Sequence, residues 1–178
     1  MRSGFVNFFG KPNAGKSTLL NFLMEEKLAI VSSKVQTTRH RIKGILTEED
    51  HQIVLSDTPG IIDPKYPLHK RMMDAVRSAL EDGDLALLLV DAHSDWSESD
   101  RIFTELKLKA TAWILITKTD LVDGVKKQEA IQYFQGKSYA SRVVTISTKH
   151  PADRKKLLKE ILYDLNETIK ILQIRETK

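Results

Sequence analysis

One stretch of the sequence has the residue types and the spacing of a phosphate-binding loop. Residues 10–17 read Gly-Lys-Pro-Asn-Ala-Gly-Lys-Ser, which satisfies the pattern G-x-x-x-x-G-K-[ST] between an apolar run and a helical pattern. The glycines let the backbone wrap phosphate oxygens, and the N–H groups at the helix start point at the anion. We expect Lys16 to reach the β- and γ-phosphates of a nucleotide and the Ser17 hydroxyl to ligate magnesium. The expected phosphate contacts come from Asn13, Ala14, Gly15, Lys16, Ser17 and Thr18.

A second motif places an acidic residue at the end of a predicted strand. The segment Gln52–Ser56 runs into Asp57-Thr58-Pro59-Gly60, at the edge where open α/β sheets gather their ligands. Asp57 is suited to hold magnesium through its water shell. Gly60 offers a backbone N–H that approaches a γ-phosphate with no side chain in the way. Such a tetrapeptide is an ordinary turn in most proteins, but after a phosphate loop the functional interpretation is favoured.

Two further loops indicate which base the nucleotide carries. Predicted strands end in Thr117-Lys118-Thr119-Asp120 and in Ser147-Thr148-Lys149. A carboxylate such as Asp120 accepts paired hydrogen bonds from the N1–H and N2–H₂ groups of guanine, whereas adenine has no such donor pair on that edge. The aliphatic part of Lys118 can lie over the ring, and the Thr148 N–H can meet the guanine O6. The two loops therefore predict a guanine nucleotide bound by Thr117, Lys118, Asp120, Ser147, Thr148 and Lys149.

The elements that must hold these loops alternate between strand and helix. Apolar runs with the length of buried strands occur at Phe5–Phe9, Ile53–Leu55, Leu85–Val90, Trp113–Ile116 and Val143–Ile146. The segment His40–Leu46 alternates and predicts an exposed edge strand, antiparallel to Gln52–Ser56. Helical patterns cover Lys16–Met24, Leu68–Leu80, Ser97–Leu108 and the segment from about Ala152. We expect an α/β P-loop fold with a mostly parallel six-stranded sheet, one antiparallel edge strand and helices on both faces.

Composition excludes several other classes of protein. The 178 residues suit one domain, and 41% hydrophobic with 29% charged residues are globular values. There is no cysteine, which excludes disulfides and thiolate metal sites. The start lacks the apolar core of a secretory signal, and the longest apolar run, Leu85–Val90, is too short to be a transmembrane segment. A cytoplasmic location is expected. The net charge of +4 suits either a polyanionic partner or a solvated basic surface.

Taken with the segment Gln36-Thr37-Thr38-Arg39-His40-Arg41, the motifs resemble the Era-like GTPases of the translation-factor-related class. The resemblance covers nearly the whole chain and implies that residues 1–178 form an Era-type G domain. It implies that Thr38 is the switch I threonine, which closes on Mg²⁺ and the γ-phosphate, and that Asp57 opens switch II. The implied function is a GTP-binding and GTP-hydrolysing molecular switch, linked to assembly of the small ribosomal subunit through its switch regions.

Two positions depart from the family pattern. Thr117 stands where the family has an asparagine that helps to hold the base loop and the phosphate loop together; threonine can substitute for it, at the expense of weaker nucleotide binding. Thr148 stands where the family has alanine, a small change because the backbone N–H reads the base. A separate comparison concerns Ile61, which follows Gly60 at the position where Ras-type GTPases have a glutamine that positions water, and isoleucine cannot do so by a hydrogen bond.

The resemblance implies that a potassium ion, held partly by Asn13, assists hydrolysis in place of that glutamine. A structural hydrogen bond within the loop is the alternative role for Asn13. The residues expected to act in catalysis are therefore Asn13, Lys16, Thr38 and Gly60.

The family also carries a carboxyl-terminal KH domain that binds ribosomal RNA, and no such domain is expected within these residues. Specific RNA binding of the KH kind is therefore not predicted. The basic residues Arg39, His40, Arg41 and Lys43 are expected at most to contact phosphate without sequence preference. Two other functions stay open: an interaction module that holds GDP or GTP with little turnover, and a P-loop phosphotransferase, which would not need Asp120.

Overall fold

One sheet of six strands organises the chain, in the order β2-β3-β1-β4-β5-β6. The computed structural model describes residues 2–32, 38–48, 51–63 and 65–176. Strand β2 pairs antiparallel with β3, and every other neighbouring pair is parallel, which confirms the predicted fold class. The strands are β1 Arg2–Phe9, β2 Ile42–Glu48, β3 His51–Asp57, β4 Leu85–Asp91, β5 Thr111–Thr117 and β6 Arg142–Thr145. The helices are α1 Lys16–Met24, α2 Pro67–Glu81, α3 Trp96–Glu105, α4 Gly124–Phe134 and α5 Pro151–Glu176.

The sheet separates two hydrophobic layers. Because successive side chains of a strand point to opposite faces, β5 sends Trp113 and Leu115 to one layer and Ile114 and Ile116 to the other. Helices α1 and α5 cover the first face, and α2, α3 and α4 cover the second. Burial on both faces explains why the central strands are continuous apolar runs.

Helix α3 is shorter than its sequence pattern predicted. It ends at Glu105 rather than Leu108. The next residues alternate, with Leu106 and Leu108 half-buried against the second layer and Lys107 and Lys109 exposed. In an extended segment alternate side chains share a face, so both leucines lie on the core. In a further helical turn, residues two positions apart would point in different directions.

Helix α4 was not predicted. Ala130 and Phe134 are its only buried residues, and Val125 is exposed, so the helix carries almost no apolar stripe. The available signal was Asp123, whose side chain caps the helix by accepting a hydrogen bond from the Lys126 N–H at 2.7 Å.

The carboxyl ends of the parallel strands meet at one edge of the sheet, where the candidate site lies. Strands β1, β3, β5 and β6 lead into the phosphate loop, Asp57, Thr117 and the Ser147 loop. Within the described ranges, no helix is long and apolar enough to cross a membrane.

Candidate functional site

The phosphate loop connects β1 to α1 through backbone conformations that favour glycine. Gly10 and Gly15 have φ angles of 152° and 97°, and Asn13 also lies in the left-handed region at 63°. A Cβ at Gly10 would stand 2.6 Å from the Leu89 carbonyl oxygen, so only glycine lets the loop pass this close to β4. Helix α1 then begins at Lys16 and presents its free N–H groups to the loop.

The Lys16 ammonium lies inside the loop. The residue is buried, and its Nζ donates hydrogen bonds to the Gly10 oxygen at 3.1 Å and the Lys11 oxygen at 2.7 Å. Burial lowers the pKa of Lys16 to about 8, partly opposed by the negative charge of Asp57. The loop therefore holds a cation at its centre that is still largely protonated at neutral pH.

Three oxygen-bearing side chains meet beside this lysine. The Ser17 hydroxyl donates to Asp57 Oδ2 at 2.6 Å, the Thr38 hydroxyl donates to the same oxygen at 3.0 Å, and the two hydroxyls lie 3.0 Å apart. Asp57 is fully buried, and its Oδ1 has no hydrogen-bond partner among the residues that the structure describes. Burial raises the pKa of Asp57, opposed by the Ser17 hydrogen bond, the Lys16 charge and the Thr38 hydrogen bond. Two hydroxyls and a carboxylate whose Oδ1 still has its lone pairs unused are a set of oxygen donors that suits Mg²⁺.

The structure thus brings together the three residues that the sequence predicted as magnesium ligands. Two neighbours of Thr38 in the segment that carried the family resemblance, Gln36 and Thr37, lie outside the described residues.

A cavity of about 390 Å³ opens over these groups. The phosphate loop, the segment that leads to β2, the Gly60 turn after β3 and the first base loop all contribute to its wall. The lining residues are Pro12, Asn13, Gly15, Lys16, Ser17, Thr18, Val31, Ser32, Thr38, Gly60 and Lys118. The predicted phosphate-binding residues therefore share one cavity, except Ala14, which is buried behind the loop.

Switch II begins in contact with the phosphate loop. A Cβ at Gly60 would lie 2.7 Å from the Pro12 nitrogen, so the close approach requires glycine. The Ile61 N–H donates to the Gly10 oxygen at 3.0 Å, and the Ile61 side chain packs half-buried against the second hydrophobic layer. Ile61 thus turns an apolar side chain toward the core.

The two base loops are joined to each other. The Ser147 hydroxyl donates to Asp120 Oδ1 at 2.6 Å, and the Lys149 N–H donates to the Ser147 hydroxyl at 3.1 Å. This Ser147 hydrogen bond is the main reason that the pKa of Asp120 is lowered. Asp120 is exposed, so its ionised carboxylate is available to a base. Thr148 lies half-buried between Ser147 and Lys149.

Comparison with known proteins identifies the family of this site. Residues 5–118, from β1 to the first base loop, match the family described as "50S ribosome-binding GTPase". The chain belongs to this GTPase family.

The relatives of this GTPase domain include proteins named GTPase Era. The chain is 45% identical to GTPase Era of Caldanaerobacter subterraneus over 148 residues, which cover 82% of the chain and 50% of that protein. It is 39% identical to GTPase Era of Alkaliphilus metalliredigens over 168 residues, with 93% and 57% covered. The Era-like resemblance is thereby confirmed, and the chain spans about half the length of these relatives.

Solved structures agree with this relationship. A crystal structure of an Era variant from Aquifex aeolicus bound to GDP and AlF4⁻ superposes with a TM-score of 0.84 at 33% identity, covering 92% of this chain and 57% of that one. A crystal structure of Era with MgGDPNP and nucleotides 1506–1542 of 16S ribosomal RNA gives a TM-score of 0.83 with the same identity and coverage.

Thr117, which departs from the family's asparagine, still links the first base loop to the phosphate loop. The buried Thr117 hydroxyl lies 2.8 Å from the Ala14 oxygen and 3.2 Å from the Val90 oxygen. It therefore ties the base loop to the phosphate loop. A hydroxyl has one proton, so it serves one of these acceptors at a time, whereas an asparagine amide has two.

Two residues of the site were missed from the sequence. The Lys118 Nζ donates to Asp91 Oδ2 at 2.6 Å and to the Asn13 carbonyl at 2.8 Å, so Asp91 helps to hold the lysine across the phosphate loop. Asp153, in the first turn of α5, accepts the Ser147 N–H at 2.8 Å. Asp91 ends β4 at the same sheet edge as the predicted residues, and this position was the available signal.

Proposed function

We propose that this chain is a guanine-nucleotide switch that binds GTP and GDP with Mg²⁺ and hydrolyses GTP. The observation that supports this best is the meeting of Thr38 with Ser17 and Asp57 beside Lys16. A loop residue distant in sequence reaches the phosphate cradle there, as expected of a switch that senses the γ-phosphate.

In this proposal each residue has a separate task. Ser17, Thr38 and Asp57 would hold Mg²⁺, which would supply positive charge beside the phosphates. Lys16 places a further positive charge beside the β- and γ-phosphates, and the N–H groups of the loop and of Gly60 orient the γ-phosphate for in-line attack by water. Asp120 accepts the guanine donors, while Lys118 supports the ring.

The attacking water needs help from a group other than Ile61. The Ile61 side chain faces the second hydrophobic layer. Asn13, by contrast, is exposed on the cavity wall, and its carbonyl rather than its side chain takes part in the contact with Lys118. This supports the proposal that the Asn13 side-chain oxygen helps to hold a potassium ion that stabilises the transition-state charge.

Potassium should therefore accelerate hydrolysis relative to sodium. Asn13→Ala should remove most of that acceleration while leaving GDP affinity within a few-fold, because backbone N–H groups and Lys16 make the cradle. Ile61→Ala should change the rate little, since no hydrogen bond to water is lost. Single-turnover hydrolysis in matched sodium and potassium chloride measures both effects. Equal rates in the two salts, or a collapse in Ile61→Ala, would contradict the catalytic assignment.

The burial of Ile61 also favours a second candidate function, an interaction module that binds guanine nucleotides with little turnover. The same single-turnover experiment separates the two. Formation of GDP and phosphate by the chain in potassium supports the switch, and tight GTP binding without product supports the module.

The proposed macromolecular partner is the small ribosomal subunit or its precursor. The Era structure solved with 16S ribosomal RNA nucleotides supports this choice, whereas the family description refers to the 50S subunit. We expect the chain to sediment with small subunits more strongly in GDPNP than in GDP. Preference for large subunits, or equal sedimentation in the two nucleotides, would contradict the assignment.

A further inference from the structure

A polar cluster lies outside the nucleotide cavity, with Arg41 at its centre, Asn7 and Ser56 buried on its inner side and Asp82 exposed on its outer side. The Arg41 side chain is 12% exposed. Its Nε donates to the Ser56 hydroxyl at 2.5 Å, its Nη1 donates to Asp82 Oδ2 at 2.5 Å, and its Nη2 donates to Asp82 Oδ1 at 2.9 Å and Asn7 Oδ1 at 2.6 Å. The expected contact of Arg41 with RNA phosphate does not fit this geometry, because protein acceptors already surround the guanidinium.

The partners of Arg41 come from three separate parts of the fold. Asn7 on β1 and Ser56 on β3 are buried and stand opposite each other in the sheet. Asp82 is the residue at which α2 ends. The Asn7 side-chain amide also donates to the Ala79 carbonyl in the last turn of α2, at 2.7 Å. Arg41 therefore connects the beginning of β2 to the end of α2 across two strands.

The same arginine fixes the segment that carries Thr38. Thr38 bonds Asp57, and Arg41 bonds the preceding residue of β3, Ser56. Between them lie Arg39 and His40, exposed and without regular secondary structure. Both ends of this segment are thus attached to the last two residues of β3. Three residues span about 11 Å at most, so the position of Arg41 limits where Thr38 can go.

The other side of the cluster is the carboxyl end of α2, which by the Era-like resemblance is the helix of switch II. Helix α2 follows the loop that begins at Gly60, and its carboxyl end is held by the Asn7 and Arg41 bonds to Ala79 and Asp82. A bidentate arginine–carboxylate pair is directional as well as strong. A displacement of α2 would therefore distort or break the hydrogen bonds between Asp82 and Arg41.

We propose that Arg41 and Asp82 form a positioning pair, which holds Thr38 at the magnesium ligands and ties that position to the end of α2. This inference rests on the proposed function, because Thr38 is needed only when a γ-phosphate is bound. The pair selectively supports the GTP-bound arrangement, and neither residue is among those that line the nucleotide cavity.

The test compares two nucleotides on the same variants. Arg41→Lys keeps the charge but cannot make the forked contacts, and Asp82→Asn removes the charge at a half-exposed position where the fold should survive. Each should weaken Mg²⁺–GDPNP binding about tenfold, the effect of losing one charge-assisted hydrogen bond, and leave Mg²⁺–GDP affinity within about twofold. The double variant should lose little more than either single variant. Arg39→Lys, an exposed change in the same basic segment, is the matched control and should alter neither affinity.

Equal loss of GDP and GDPNP affinity, or additive losses in the double variant, would overturn the inference, since a purely structural pair would behave in that way. If the unaltered chain bound neither GDP nor GDPNP, the proposed function itself would be contradicted. The Arg41–Asp82 pair would then be tested separately, by amide hydrogen exchange of the chain without nucleotide. Asp82→Asn should speed exchange at residues 38–41, and unchanged exchange there would overturn the coupling.

Discussion

Lys16→Met should abolish GTP hydrolysis while leaving the fold intact. The substitution keeps most of the volume but removes the charge that the site applies to the β- and γ-phosphates. Loss of such a preorganised group lowers rates by about a hundredfold or more, and nucleotide affinity should fall as well. Because burial opposes the ammonium, as its lowered pKa shows, the free energy of unfolding should not decrease. Single-turnover hydrolysis and urea unfolding measure the two effects.

Lys11→Met is the matched control for this prediction. The Lys11 side chain pairs with Glu98 on α3 and is absent from the cavity wall. Its loss should change the hydrolysis rate by no more than a few-fold. Hydrolysis at the unaltered rate in Lys16→Met would contradict the role of Lys16, and unfolding of that variant would contradict the expected stability.

Asp120→Asn should exchange guanine for xanthine specificity. The substituted side chain presents an amide donor where the carboxylate accepted a hydrogen bond, so the guanine 2-amino group loses its acceptor, whereas the xanthine C2 carbonyl gains a donor. Losing this hydrogen bond to a charged group costs about 1.5–3 kcal/mol, which is about tenfold to a hundredfold in GDP affinity. Titration with GDP and XDP measures the exchange. The amide oxygen of the variant can still accept the Ser147 hydroxyl, so the loop should keep its shape.

Asp123→Asn is the control for Asp120→Asn. It tests whether removing a different carboxylate near the first base loop also changes the affinities for GDP and XDP. Asp123 only caps α4, and asparagine caps helices about as well, so both affinities should stay unchanged. If Asp120→Asn bound GDP as tightly as the unaltered chain, Asp120 could not be the group that recognises the base.

Much of the sheet was predictable because its strands are buried on both faces. The segments that form β1, β4 and β5 consist almost entirely of apolar residues, so they could be recognised as buried strands. The topology of a parallel sheet alone then places the motifs at their ends along one edge. Ser17, Thr38 and Asp57 meet as expected for the same reason. Helix α4 could not be predicted, because its stability depends on a cap and two buried side chains rather than on an amphipathic pattern.

The residues that the sequence missed act through partners in other elements of the fold, which for Asp91 and Arg41 are also distant in the chain. Asp91 is an ordinary strand-end aspartate until Lys118 is seen beside it, and Asp153 is a helix-start aspartate until it meets the Ser147 N–H. Arg41 was interpreted as part of a solvated basic segment because its partner, Asp82, lies 41 positions away. Spacing along the chain carries no signal for the Arg41–Asp82 pair, since only the packing of α2 on the sheet brings these two residues together.

Competition between GDP and ADP for the unaltered chain tests the central claim most directly. With a fluorescent GDP bound in the presence of Mg²⁺, unlabelled GDP should displace it at a concentration at least about a hundredfold lower than ADP, because only guanine offers Asp120 its two donors. Displacement by ADP and GDP at the same concentration would contradict the assignment of this site to guanine nucleotides.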